Sequence, residues 1–327
     1  MKKVTLDQIA HKTGLSKYAV SRAISGKSGV SEETRRRVLE ACDVLGYVRS
    51  TPSAAAGQQI VVFMPRSQSD DFWMRVIRGI ESSATREGYT LSLKTIDDAA
   101  DSAAAGALLN SAAAAIFISH KTAGLIRQFC GRCPTLLLTY PPVPLLPSDC
   151  MNIADAEAME GLCDHLLHAG HRSIAYYGPM QRSFGRELML GIRRSLEKAP
   201  GCTAEFWADD ERENGFAEVL AHLRNRYAQG SFPTAILCAG DRLAQSVLYA
   251  LGQLGISVPQ EISVTSFNSD TGTYSAIPFT TMGIDKFAYG EEAFRILSDR
   301  MQHPKLPFRR LRYLQEFLPG TTAGNAP

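Results

Sequence analysis

The 327-residue chain has no apolar run approaching the ~18–20 residues of a membrane span. Its first residues also lack the apolar segment of a secretory signal, so neither a membrane protein nor an exported one is expected, and a cytoplasmic location is. The seven cysteines are odd in number and scattered, which excludes a disulfide framework and fits free thiols in a reducing compartment. Cys130-Gly-Arg-Cys133 has the spacing of a redox or zinc motif, yet no second pair completes a metal set. His165, His168 and His171 surround the end of a predicted helix, and the intervening Leu166, Leu167, Ala169 and Gly170 describe an ordinary terminus. Catalytic patterns are missing too: there is no Gly-x-Ser-x-Gly and no zinc-protease His pair. Ser25-Gly26-Lys27-Ser28 echoes the end of a phosphate-binding loop, but Ser21 stands where its first Gly belongs and no strand precedes it. No enzyme, cofactor or metal is implied.

What is present is core-forming material and an uneven charge. Hydrophobic residues make up 45% of the chain, enough to exclude disorder, and the length suits about two to three domains. The net charge of +2 hides a split: residues 1–50 hold 10 Lys/Arg against 5 Asp/Glu, and residues 51–327 hold 25 against 28. Clustered basic charge suits a polyanion, because each neutralised phosphate releases counterions. Arg35-Arg36-Arg37 alone reads equally well as a solvated helix face.

Residues 4–47 spell three short helices. Thr5-x-x-Gln8 is a capping box opening the first, with Leu6, Ile9 and Ala10 as its buried stripe. Gly14 gives the turn its backbone freedom. Ser16 caps a second helix, Lys17 to Ile24, whose Val20 and Ile24 share the inner face at i, i+4 spacing. Lys17, Tyr18, Ser21 and Arg22 are left on the outer face: two cations, a hydroxyl and a planar hydrogen-bonding aromatic. Ser31-Glu32-Glu33 opens the third helix, and Val38, Leu39, Ala41, Cys42 and Leu45 close a small core. Two helices joined by a Gly-bearing turn are a device for laying one of them in the DNA major groove.

This run of Thr5-Leu-Asp-Gln-Ile-Ala10, Gly14-Leu-Ser16, Ala19-Val-Ser-Arg22, Val30-Ser-x-x-Thr34-Arg35 and Leu45-Gly-Tyr47 resembles the DNA-binding head of the lactose/galactose repressor (LacI/GalR) family. The resemblance implies Lys17 and Tyr18 as base readers, with Ser16, Ser21 and Arg22 beside them. It implies Thr5, Ser31 and Thr34 as phosphate contacts. Ala19 departs from the family's usual Thr and removes a hydroxyl.

Residues 49–59 read as a hinge between a head at 1–48 and a body at 60–327. In the family this segment forms a helix on the operator and wedges a Leu into the minor groove. Here Arg49-Ser50 replaces the usual Pro-Asn, and no Leu lies between Tyr47 and Ile60. Ala56 takes the wedge position, so weaker DNA bending is expected.

From Ile60 onward strands and helices alternate. Strands are expected at 60–64, 90–96, 115–118, 135–138, 173–177, 235–238 and 262–267. Helices are expected at 72–87, 99–110, 155–169, 184–198, 214–228 and 241–254. The rhythm restarts after the Pro-rich 141–147, which implies two doubly wound lobes with parallel sheets and a ligand crevice between them. Gly79-Ile-Glu81, Gly170-His171, Gly255-Ile-x-Val-Pro259 and Thr280-Thr281 extend the family resemblance, whose body is similar to periplasmic sugar-binding proteins.

Matching positions nominate Phe72 and Trp73, whose ring faces suit the C–H side of a sugar. They also nominate Arg186, whose planar fork suits vicinal hydroxyls or a carboxylate. Asn268 stands where Asp is usual, and Trp207 is a candidate cap on the pocket. Asp241 reads as a helix cap.

The expected protein is a homodimeric regulator that binds operator DNA and responds to a small sugar-like effector: a repressor of a carbohydrate-utilisation operon. The last residues show no heptad repeat, which argues against a coiled-coil tetramer. One alternative is a sugar sensor whose helical head binds protein. Another is an enzyme on the same α/β scaffold.

Overall fold

A computed structural model describes residues 6–24, 30–45, 58–65, 71–96, 105, 108, 112–118, 123–138, 146–209, 216–230, 232–271 and 277–327. The chain divides into two compact units, Met1–Ala56 and Gly57–Pro327. Thr5, Ala56 and the hinge up to residue 57 lie outside the described residues, as does most of the helix expected over 99–110.

The first unit contains α1 (Leu6–Thr13), α2 (Lys17–Ile24) and α3 (Glu32–Leu45). Gly14 takes φ +67°, a left-handed turn that glycine adopts without a Cβ penalty. The Leu15 N–H then returns to the Ala10 carbonyl at 3.2 Å. Ile9, Val20, Ala23, Val38, Ala41 and Cys42 are buried together, one stripe from each helix. Arg37 donates to the Thr13 carbonyl at 3.2 Å and ties α3 to the end of α1.

The second unit has two lobes. In the first, β1 (Gln59–Met64), β2 (Thr90–Thr95), β3 (Ala112–Phe117), β4 (Thr135–Leu137), β5 (Asp149–Ile153) and β12 (Arg310–Tyr313) form one sheet, ordered β12-β5-β4-β3-β1-β2. Every pairing in it is parallel. Helices α4 (Asp71–Arg86), α5 (Ala123–Cys130) and α10 (Lys286–Gln302) belong with it. In the second lobe, β6 (Ser173–Gly178), β7 (Thr203–Ala208), β8 (Ala235–Cys238) and β9 (Ser263–Thr265) pair in parallel as β7-β6-β8-β9. Its helices are α6 (Asp155–His168), α7 (Ser183–Glu197), α8 (Phe216–Ala228) and α9 (Asp241–Gln253). A small sheet of β10 (Ser269–Asp270), β11 (Thr281–Ile284) and β13 (Glu316–Leu318) accompanies this lobe. The chain therefore passes between lobes three times: at β5→α6, at β11→α10 and at β12→β13.

Helices α4 and α10 approach unusually closely because each brings a glycine. A Cβ on Gly79 would stand 2.1 Å from the Phe287 carbonyl oxygen, and one on Gly290 would stand 2.0 Å from that of Val76. Three histidines that sequence places at a helix end have separate partners. His171 lies between Thr234 Oγ1 (2.9 Å) and the Gly324 carbonyl (3.1 Å), His168 reaches the Asp164 carbonyl, and His165 packs on Phe317. The Cys130 and Cys133 thiols are pushed up by burial and are free.

Strand β5 is not expected from sequence, because Asp149 and Asn152 interrupt its apolar character. The structure supplies the reason it forms. Asp149 and Arg300 are 1% and 3% exposed and meet as a two-pronged pair, Nε–Oδ2 2.8 Å and Nη2–Oδ1 3.1 Å. The Arg309 N–H adds a bond of 2.7 Å to Asp149, and Arg300 also donates to the Leu306 (2.6 Å) and Pro307 (2.9 Å) carbonyls. Burial by itself raises the Asp149 carboxyl, but the Arg300 guanidinium and the Arg309 N–H outweigh it and hold it below the usual carboxylate range. Removing one partner strands the other charge in the interior. Arg300→Met is expected to cost about 3–5 kcal/mol in urea unfolding; a loss under about 1 kcal/mol would show the pair to be dispensable.

Candidate functional site

On the first unit, Ser16 Oγ accepts the Ala19 N–H at 3.1 Å and sets the start of α2. This orients Lys17 and Tyr18 outward; Tyr18 is 70% exposed. One turn later, Arg22 donates to the Tyr18 hydroxyl at 2.8 Å, with its guanidinium 5.4 Å from the ring centroid. The two side chains thus form one planar, donor-rich surface. Ser21 lies on the same helix. At the start of α3, Ser31 Oγ accepts the Thr34 N–H at 3.2 Å and contacts the Thr34 hydroxyl at 2.8 Å. Backbone N–H groups and hydroxyls at a helix start suit a phosphate oxygen.

In the second unit, ligand geometry follows from strand order. Both parallel sheets reverse direction of winding beside a central strand, β1 in the first lobe and β6 in the second. Ligands of such sheets bind beyond the carboxyl ends of the strands at this switch point. Phe72 and Trp73 open α4, directly after β1. Their rings meet edge to face at 5.1 Å, half-buried and packed on the first-lobe core. Arg186 lies in the first turn of α7, after β6, exposed, and donates to the Gln181 carbonyl at 2.9 Å. Asn268 follows β9 with φ +57°, a left-handed conformation that Asn tolerates better than most side chains. Its Oδ1 is buried and accepts no hydrogen bond.

The carboxyl edges of the two lobes meet. Arg75, one turn into α4, pairs across to Asp270 of β10 at 2.8 Å. Trp207 lies elsewhere: it is 5% exposed and packs among Tyr177, His222 and Phe232, with Nε1 donating to Glu205 at 3.0 Å. Its position is that of a second-lobe core aromatic. Asp241 does not cap α9, a place held by Gly240; it accepts the Ser266 and Ser269 hydroxyls and braces the segment before and after Asn268. A cavity of about 620 Å³ opens beside α4, α10 and β12, but its charges are already paired, Arg86 with Glu291 and Arg295 with Glu292. Neither Phe72, Arg186 nor Asn268 lines it.

Sequence reasoning missed one group at this site. Asp155 begins α6 at the first crossover, and Gln315 of the third crossover donates to it at 3.1 Å, with the Asn268 amide also in reach. Burial, then the nearby Glu187 carboxylate, pushes the Asp155 carboxyl up to about 8. Folding therefore takes up a proton at Asp155 between its ordinary value of 3.8 and about 8. Its contribution to stability is fullest below that window and is lost as pH rises through it. Asp155→Asn abolishes this dependence. In thermal melts from about pH 5 to 9, the variant is expected to gain on the parent as pH rises; parallel curves would rule out a buried proton-holding carboxyl.

Comparison with known proteins agrees with both units. Residues 5–50 match the family described as bacterial regulatory proteins, lacI family, and residues 163–322 match a periplasmic binding protein-like domain. The HTH-type transcriptional repressor PurR of Escherichia fergusonii is 28% identical over 343 residues, covering 94% of this chain and 96% of that protein. Among solved structures, a complex of the transcriptional regulator CelR with cellobiose is similar at TM-score 0.68 and 22% identity, covering 98% of this chain and 100% of that one. The lac repressor dimer bound to operator and the anti-inducer ONPF is similar at TM-score 0.69 and 22% identity, covering 98% and 99%. The chain thus joins a lacI-family head over residues 5–50 to a periplasmic-binding-protein-like domain over 163–322, and it is similar over nearly its whole length to a repressor of the same two-part organisation.

Proposed function

We propose that the protein is a cytoplasmic, homodimeric repressor of a carbohydrate-utilisation operon, released from or tightened on its operator by a small sugar-like effector. The observation that carries the DNA-binding half is the exposed face of α2, where Arg22 is hydrogen-bonded to Tyr18 at 2.8 Å beside Lys17. An apolar face would favour a protein partner; this one is cationic, planar and rich in donors. On this reading Lys17, Tyr18 and Arg22 read base edges with Ser16 and Ser21 beside them, and Ser31 and Thr34 hold phosphates. Two heads on one dimer make the second contact effectively intramolecular.

For the effector, Phe72 and Trp73 supply ring faces, Arg186 an exposed guanidinium steadied by the Gln181 carbonyl, and Asn268 Oδ1 an acceptor that no protein donor occupies. A molecule bridging these groups favours one lobe arrangement over another, and only such a difference in affinity shifts DNA binding.

Two measurements test the reading. An operator selected from random duplex DNA should bind with a steep negative slope of log affinity against log salt, and Arg22→Ala should lose about 1–3 kcal/mol. A flat salt dependence would leave the protein-binding alternative. In a thermal-shift screen of sugars, sugar acids and sugar phosphates, a ligand should raise the melting temperature, and Arg186→Ala should remove that rise while sparing operator binding. An unchanged shift in the variant would displace Arg186 from the site.

A further inference from the structure

Lys286 is the first residue of α10, and only 7% of it is exposed. Its Nζ stands 5.1 Å from the centroid of the Phe72 ring. Among the described residues no carboxylate or carbonyl engages that nitrogen, which lies over the Phe72 ring with the rest of the side chain buried. Buried ammonium groups are ordinarily paired, because leaving water without a partner is costly.

Its location compounds the cost. The start of a 17-residue helix carries partial positive charge from its free N–H groups, which disfavours a cation there. Asp285 offsets part of this by capping the helix, accepting the Ala288 N–H at 2.8 Å. That carboxylate lies beyond ion-pair distance of Lys286, so the ammonium remains uncompensated. Arg75 offers a contrast on the same edge: it is held by Asp71 at 3.0 Å and by Asp270 at 2.8 Å.

The geometry also locates the unpaired charge in the fold. Phe72 opens α4 at the carboxyl edge of β1, and α10 opens directly after β11 at the second crossover. Both helix starts thus share the edge that Arg75 and Asp270 show to be where the lobes meet. A buried cation, a helix start and an aromatic face converge there.

We propose that Lys286 is the anion-binding residue of the inter-lobe site, and that the effector carries a phosphate or carboxylate group seated against Lys286 and Phe72. The inference rests on reading that site as the effector site, and it narrows the ligand from a neutral sugar to an anionic one. The anionic group neutralises Lys286 and draws on the α10 N-terminus, while the rest of the molecule lies along the rings toward Asn268.

The full-length protein can be tested first with inorganic phosphate against chloride at equal ionic strength. Phosphate should raise the melting temperature by about 2–4 °C. Lys286→Met should lose that rise, Lys286→Arg should keep it, and Lys286→Met without phosphate should melt no lower than the parent. Lys286→Gln replaces the Met variant if the latter does not fold. Glucose 6-phosphate, gluconate and glucose then separate a phosphate from a carboxylate group, with glucose the neutral control. An equal phosphate shift in parent and Lys286→Met overturns the proposal, as does no shift in the parent. A Met variant less stable without anion also overturns it, because the ammonium is then structural. Operator binding by the same samples separates the two readings. An anion that binds through Lys286 without altering DNA affinity would sink the effector role and leave the anion site standing.

Discussion

The pair formed by Asp149 and Arg300 makes the first lobe a single body although its chain is discontinuous. Strands β1 to β5 build most of the sheet before the chain leaves to form the second lobe, and only afterwards do α10 and β12 return. Arg300 on α10 reaches Asp149 on β5 and three carbonyls of the segment leading to β12, so helix, sheet edge and returning strand are joined at one buried point. Because both partners are ionic and enclosed, the arrangement tolerates little deviation in direction or distance. With that closure made, three short crossovers among the described residues link the lobes. A two-lobed receptor whose lobes must rearrange around a ligand depends on such a division between rigid bodies and thin connections.

The polar groups at the strand ends fall into two kinds. Arg75 and Asp241 are satisfied within the protein, the first by carboxylates and the second by serine hydroxyls, and they shape the edge. Asn268 Oδ1 is buried and accepts no hydrogen bond, and Lys286, largely buried as a residue, has no carboxylate partner among the described residues. Buried polar atoms are nearly always paired in a folded chain, so an unpaired acceptor beside the strand ends is open to a ligand's donor. Asp155 stands between the two kinds: it is hydrogen-bonded to Gln315 yet holds its proton, which spares the crossover an uncompensated charge.

Much of this was legible in the sequence wherever a local rule governs. The head is a run of capping residues, one glycine turn and three apolar stripes, and helix periodicity places α4, α6, α7 and α9 to within a residue or two. Strand β5 was hidden because its leading Asp is made acceptable by an arginine 151 positions away. Trp207 was misjudged as a pocket cap for a related reason: its strand points it to the core face, a choice that alternation along an edge strand does not decide alone. Lys286 carries no signal at all, since a lysine after a capping Asp reads as an exposed helix start. Its contact with the Phe72 ring of the neighbouring α4 is visible only in the fold. Local chemistry is written in local sequence, whereas burial of a charge is a property of the fold.

The glycine contact between α4 and α10 bears on how a ligand would be felt. With backbone against backbone at Gly79 and Gly290, neither helix can slide along the other without a clash between main chains. Phe72 and Lys286, at the starts of these two helices, are therefore carried on one inflexible strut. A small molecule that grips either residue takes hold of the whole strut, and through Arg300 of the sheet behind it. The lobe then answers as a lever whose handle is a single ring and a single ammonium.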